Sequence, residues 1–174
     1  RNLDPLVRAF LRCEFVETVI VSNHNPEVQL HDWVRVSDRR LRLIDQPRRY
    51  GHGHGWVVAN EEDSPYFIVV DDDHLLYPGQ VAALFTRLLE HPEVPHGLSG
   101  NLRGRYCEYR DMAVDSLCGV YAVTKVHVAR YFEHATQLAS GKGISPATIE
   151  YWADDIVMSR VGDGLPRIHD VGFI

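Results

Sequence analysis

A chain of 174 residues, 45% hydrophobic and 24% charged, holds enough apolar content for a real core and describes one ordinary globular domain, which excludes the disordered and fibrous classes. Its formal net charge of −6 argues against a nonspecific nucleic-acid binder. Cys13, Cys107 and Cys118 are odd in number and widely spaced, so they read as free thiols rather than a disulfide framework or a zinc site, and no run is long enough to cross a bilayer.

In chain order, Asp4-Pro5 reads as an N-cap followed by proline at the first helical position, with Leu3, Val7, Phe10 and Leu11 on one face. Residues 16–22 predict a strand ending in the turn cluster Asn23-His24-Asn25-Pro26, and residues 40–45 a second strand that Pro47 halts. Arg39, Arg40, Arg42, Arg48 and Arg49 make a local basic cluster, suited to a phosphate-bearing small molecule or to a solvated edge. The Gly51–Gly55 loop opens a short helix through Trp56, Val57, Val58 and Ala59. Within it, His52-Gly53-His54 resembles a metal site at first glance. Two alternate histidines are too few ligands, and the stretch reads as a flexible loop near a bound donor.

Tyr66-Phe67-Ile68-Val69-Val70 reads as a buried strand that runs without a spacer into Asp71-Asp72-Asp73. Over 78–90, Val81, Leu84, Phe85, Leu88 and Leu89 follow the helical repeat. Residues 116–124 predict another buried strand in which Gly119 permits close approach; residues 126–132 predict a helix and 140–145 a flexible loop. Strands alternating with helices describe an α/β fold, a mixed and mostly parallel sheet flanked by helices, with 1–174 as a single domain.

Ligands of open α/β sheets collect at the carboxyl ends of strands, where Asp71–Asp73 would sit. Three adjacent negative charges are best explained by a divalent cation, and along an extended chain Asp71 and Asp73 share one side while Asp72 faces away. An acidic turn closing a strand is the plainer alternative. Asp154-Asp155 precede a helical stretch whose N-terminal dipole and free N–H groups would hold a carboxylate ionised, or in which Asp154 is simply an N-cap. Trp152 beside them suits either stacking on a sugar ring or core packing, and Arg48 and Arg49 either a phosphate or solvent. His169 is a lone late histidine near an acid.

In this order, the strand carrying Asp71-x-Asp73, the Gly119 strand, the carboxylate pair Asp154-Asp155 and the late His169 resemble the core of GT-A-fold nucleotide-sugar glycosyltransferases. Phe67–Asp73, Asp154-Asp155-Ile156-Val157-Met158 and Val19–Asn25 look most like the C-terminal transferase domain of exostosin-like enzymes. The resemblance covers nearly the whole chain, with one departure: the first sheet strand of that fold is missing before Leu3, so either it lies upstream of this sequence or the resemblance is a looser one.

The resemblance implies that Asp73 binds a divalent metal directly and that Asp71 reaches the metal through water or touches the donor ribose, with Asp72 beside it on the nucleotide side. It makes His169 the late metal-binding histidine, sets Gly119 and Asp154 beside the substrate, and makes Asp155 the catalytic carboxylate. It implies a nucleotide-sugar donor, a UDP-sugar above others, and a carbohydrate or other hydroxyl acceptor, with retention favoured over inversion. Oxygen ligands joined by an imidazole favour manganese, with magnesium as the other candidate. Two rival readings stand beside it. In haloacid-dehalogenase-like phosphatases, Asp-x-Asp also ends a strand, but nearer the start of the domain and followed by Thr or Val rather than His74-Leu75. A non-catalytic, metal-dependent sugar-binding relative would keep the metal carboxylates and tolerate loss of Asp155. Localisation is left open, as is an upstream membrane anchor.

Overall fold

The computed structural model describes residues 3–172. The chain divides into two compact units, one comprising the chain up to Tyr50 with Asp72–Ala82, the other Gly51–Asp71 with the chain from Ala83 onward.

In the first unit, α1 (Leu3–Leu11) buries Leu6, Val7, Ala9 and Phe10. Asp4 lies inside this helix rather than capping it. Its carboxylate is engaged by Arg8 Nε at 2.7 Å and by the Arg35 backbone N–H at 2.9 Å, which leaves it no helix-start donor to serve. β1 (Val19–Asn23) and β2 (Leu41–Asp45) pair in parallel, from Val19 against Leu41 to Asn23 against Asp45. The crossover between them carries only a 3₁₀ turn at Leu30–Asp32, not the α-helix expected of a βαβ unit. Leu30 and Val34 are its buried apolar residues, too few to give a helix a core-facing stripe. At the end of the pair, Asn23 Nδ2 donates to Asp45 Oδ1 (3.0 Å) and to the Val28 carbonyl (2.8 Å), while Asp45 accepts the Leu30 N–H. Arg40 is drawn out of the basic cluster into a structural role. Its guanidinium donates to the carbonyls of Cys13 (3.2 Å), Val16 (3.1 Å) and Leu11, and pairs with Asp38.

The second unit starts with α2 (His54–Glu61) and β3 (Tyr66–Val70). The helix predicted over 78–90 forms as α3 (Pro78–Glu90), with Val81, Leu84 and Leu88 fully buried. There follow β4 (His96–Gly97), β5 (Ser99–Leu102), β6 (Arg105–Glu108), β7 (Met112–Ala113), β8 (Ser116–Leu117) and β9 (Val120–Thr124). The chain then runs through α4 (Lys125–Lys142), α5 (Pro146–Trp152), α6 (Asp154–Met158) and β10 (Arg167–Ile168).

One sheet has the order β3-β9-β4-β10-β7 and a second the order β6-β5-β8. The class is mixed α/β, as expected, but among the described pairs only β1 with β2 and β4 with β10 are parallel. β3, read as a strand of a mostly parallel sheet, pairs antiparallel with β9, and Phe67 to Val70 are half-buried. An apolar run encodes burial, whereas the direction of its neighbour is set by the connections.

The single strand expected over 116–124 is two. β8 joins β5 and β9 joins β3 and β4, and the chain changes sheets at Cys118-Gly119, where Gly119 takes φ +69°. That left-handed conformation is open to glycine at little cost. The loop expected at 140–145 starts later, because α4 runs on to Lys142 and ends at Gly143 in the left-handed region. Buried Ala135 and Ala139 keep its apolar face continuous. At its start, Thr124 and His127 form a reciprocal capping box. The core gathers Trp56, Leu117, Tyr121, Val123, Val128, Tyr131, Met158 and Ile168. Trp56 meets Tyr121 edge-on at 5.2 Å, and each such side chain contributes about 1.5–3 kcal/mol on burial.

Candidate active site

β3 stops at Val70 and the chain turns at once. The Asp71 N–H donates to the Gly119 carbonyl at 2.8 Å, so the glycine at the sheet change lies directly against the first aspartate. Beyond it, Asp71, Asp73 and His74 bring ligand atoms within 4.8 Å of one another; among the described residues no other group of three or more could hold a metal ion. Asp73 Oδ1 stands 2.8 Å from His74 Nδ1 and its side chain is 79% exposed. The chain is not extended here, yet Asp71 and Asp73 fall together and Asp72 stays outside the group. Two carboxylates and an imidazole form a donor set that fits a divalent cation, manganese more closely than magnesium. His74 went unnoticed in the sequence, where its adjacency to Asp73 was the available signal.

The second acidic motif differs from the sequence expectation. α6 is a five-residue helix whose N-cap is Ala153, with no side-chain cap bond, so Asp154 is not an N-cap. The shift of Asp154 is also opposite to the one expected: burial and the neighbouring Asp155 charge push its carboxyl up to about 6, and together they outweigh the backbone N–H groups that favour the anion. Asp155 Oδ1 accepts the Ile156 N–H at 2.8 Å. Asp71 and Asp155, both of the second unit, act on the same two side chains. Burial, then the charge of Asp155, then that of Asp71 push the Cys118 thiol up, although Asn101 Nδ2 donates to its sulfur. The Tyr121 hydroxyl, also pushed up chiefly by burial, feels Asp155, Asp154 and Asp71.

Trp152 ends α5 with 77% of its surface exposed and its ring 4.9 Å from that of Tyr151, so it is not a core residue. The Gly51–Gly55 loop, expected to be flexible, is pinned to α5. The Gly53 N–H donates to the Glu150 carbonyl at 2.9 Å, His54 Nδ1 lies 3.6 Å from Glu150 Oε1, and a side chain at Gly51 would strike the Tyr151 backbone. Arg48 and Arg49 belong to the first unit. The Arg48 guanidinium lies 4.9 Å over the Tyr50 ring, and Arg49 makes a 3.7 Å contact with Glu27 in full solvent.

His169 is 5% exposed and lies outside the Asp71, Asp73, His74 group. Its Nδ1 is 3.0 Å from Asp111 Oδ1 and its Nε2 is 2.8 Å from Nδ1 of fully buried His96. His96 Nε2 must donate to the His91 carbonyl at 2.8 Å, because that oxygen can only accept. Burial pushes His96 down to about 4 and His169 down as well. The Asp111 carboxylate can only accept, so His169 Nδ1 donates to it, and both ring nitrogens of His169 are engaged within the protein. β3 and β10 run in the same direction, so Asp71 and His169 emerge at the same sheet edge. With β9 and β4 between them, these strands lie about 14 Å apart at the usual spacing.

No family model matches the sequence, and no curated protein matches it. Among solved structures, the chain is similar to that described as "Crystal structure of GalNAc-T7 with UDP, GalNAc and Mn2+", with a TM-score of 0.62 and 6% identity. The fold is GT-A-like. The match covers 95% of this chain and 38% of that one, so this GT-A-like chain spans well under half the length of the protein it resembles. At this identity the likeness concerns the fold alone.

Proposed function

We propose that the chain is a metal-dependent glycosyltransferase that moves a sugar from a nucleotide-sugar donor, a UDP-sugar, to a hydroxyl acceptor. The observation that carries this reading is the Asp71 N–H bonded to the Gly119 carbonyl at the end of β3 in a GT-A-like fold, with Asp71 and Asp155, far apart in sequence, both acting on Cys118 and Tyr121. The neighbour's own UDP and Mn2+ agree with it. So does the donor set of Asp71, Asp73 and His74.

In this reading Asp73 and Asp71 hold the divalent ion, manganese before magnesium, and Asp72, Arg48 and Arg49 belong to the donor nucleotide and its diphosphate. The ion supplies positive charge that offsets the charge developing on the leaving diphosphate. His169 is assigned as the late metal-binding histidine, a role that requires it to exchange its bond to Asp111 for the ion. Exposed Trp152 stacks on a sugar ring, while Asp154 and Gly119 line the substrate. Asp155 takes the acceptor proton if the anomeric centre inverts. In the retaining, exostosin-like chemistry that the motifs favour, it positions the acceptor or stabilises a positively charged sugar. The whole chain serves one catalytic domain.

Calorimetric titration with UDP and GDP, with and without manganese, tests the reading. Metal-dependent binding of UDP by the wild type, lost in Asp73→Ala, is expected. Binding that ignores both metal and Asp73 would remove the proposal.

A further inference from the structure

Tyr131 on α4 is 2% exposed, and its hydroxyl is buried without a hydrogen-bond partner. The ring itself is well used, packing 5.9 Å from Trp56 and edge-on against Phe132 at 5.2 Å. A phenylalanine would make the same contacts without the cost of leaving a buried polar oxygen unsatisfied. Such an orphan calls for a reason. Its surroundings supply one: a Cβ placed on Gly53 would stand 2.6 Å from Tyr131 Oη and 2.8 Å from Asp154 Cβ, so hydroxyl and aspartate flank the same small space, kept open by a glycine.

We infer that Tyr131 is a positioning residue for Asp154: its O–H is held in reserve for the Asp154 carboxylate and donates to one of its oxygens once Asp154 ionises, aiming the other at a sugar hydroxyl. The sugar half of this inference rests on the transferase reading; the bond between the two side chains does not. The groups facing Asp154 are Asp155 on its own helix, His52 from the glycine loop, Tyr131 from α4 and Tyr121 from β9, with Glu150 of α5 acting on the same hydroxyl and in turn meeting His54. Asp155 resists ionisation of Asp154 and His52 assists it. Tyr131 and Tyr121 are the neutral donors of the set, and of the two it is the Tyr131 hydroxyl that is buried without a partner.

Tyr131→Phe removes one oxygen and separates these roles. Carbon-13 titration of the Asp154 carboxyl in the unliganded protein is expected to move its midpoint to higher pH in the variant, because the anion has lost its donor; an unchanged midpoint would overturn the bond. The melting temperature is expected to stay or rise. With a nucleotide sugar turned over by the wild type, KM for the sugar substrate should rise about tenfold and the acid limb of the rate profile should move to higher pH. On an Asp154→Asn background the same change should leave the profile where it is. Turnover and profile identical to wild type would refute the positioning role. An inactive wild type with a shifted Asp154 midpoint would instead refute the transferase reading and leave the bond standing.

Discussion

At the end of β3 three carboxylates stand in the open, in a turn of consecutive residues, whereas at α6 one member of a carboxylate pair is drawn inside against Gly53 and Tyr131. The exposed turn brings Asp71, Asp73 and His74 together by local geometry alone. The buried pair owes its character to residues scattered from the Gly51–Gly55 loop to α4. Charges left in water suit a cation that arrives from water, and a carboxyl moved partly out of it is tuned toward neutrality, where a proton or a hydroxyl can be handled. The two acidic motifs are therefore similar in composition and opposite in chemistry.

The sharpest way to break this contrast is at Asp155. Asp155→Asn is expected to lower kcat by about 10²–10⁴ while nucleotide binding in manganese is kept, measured by turnover beside calorimetry. Loss of binding in that variant would merge the two motifs into one metal site.

Next comes pH. In the folded chain Asp154 titrates at about 6, above its ordinary 3.8, so its contribution to stability is complete below pH 3.8 and is lost as the pH rises through 6. Asp154→Asn should cancel that loss and gain about 2 kcal/mol at pH 8 over pH 4 relative to wild type, by urea denaturation at the two pH values. An equal response at both would place Asp154 in water like its counterparts at β3.

A smaller effect is expected at Gly119. Gly119→Ala forces a side chain into φ +69° and should cost about 1–2 kcal/mol, and it should also weaken metal binding because the Gly119 carbonyl holds the Asp71 N–H. The smallest belongs to Asp72, exposed and outside the metal group. Asp72→Asn should change stability by no more than about 0.5 kcal/mol in a metal-free melt.

Local patterns were legible in the sequence. The repeat of Val81, Leu84 and Leu88 marks α3, whereas the grouping of Asp71 with Asp73 is expected of an extended chain and arises in the structure from a turn. Long-range facts were not. Nothing in 116–124 announces that β8 and β9 belong to different sheets, since both halves are apolar and the change rests on one backbone angle. The two-residue strands β4, β7 and β10 are too short for any periodicity. Asp154 looked like a helix-start acid because α6 does begin there; only the Gly53 loop and Asp155, packed against it, reverse the sign of its shift. His169 read as a lone histidine because its partners His96 and Asp111 lie 73 and 58 residues away.

Arg40 leaves one more consequence, and it concerns the order in which the chain folds. The carbonyls of Leu11 and Val16, where α1 gives way to β1, receive a donor from a residue more than twenty positions later, at the threshold of β2, and the Cys13 carbonyl takes the same guanidinium beside the Val16 N–H. Until that arginine is delivered, the Leu11 and Val16 carbonyls turn to water and only the local turn, Cys13 N–H to Phe10 and Val16 N–H to Cys13, shapes the exit from α1. α1, β1 and β2 are expected to gain protection from hydrogen exchange together, as a single cooperative element, rather than as a helix that forms first and waits for its sheet.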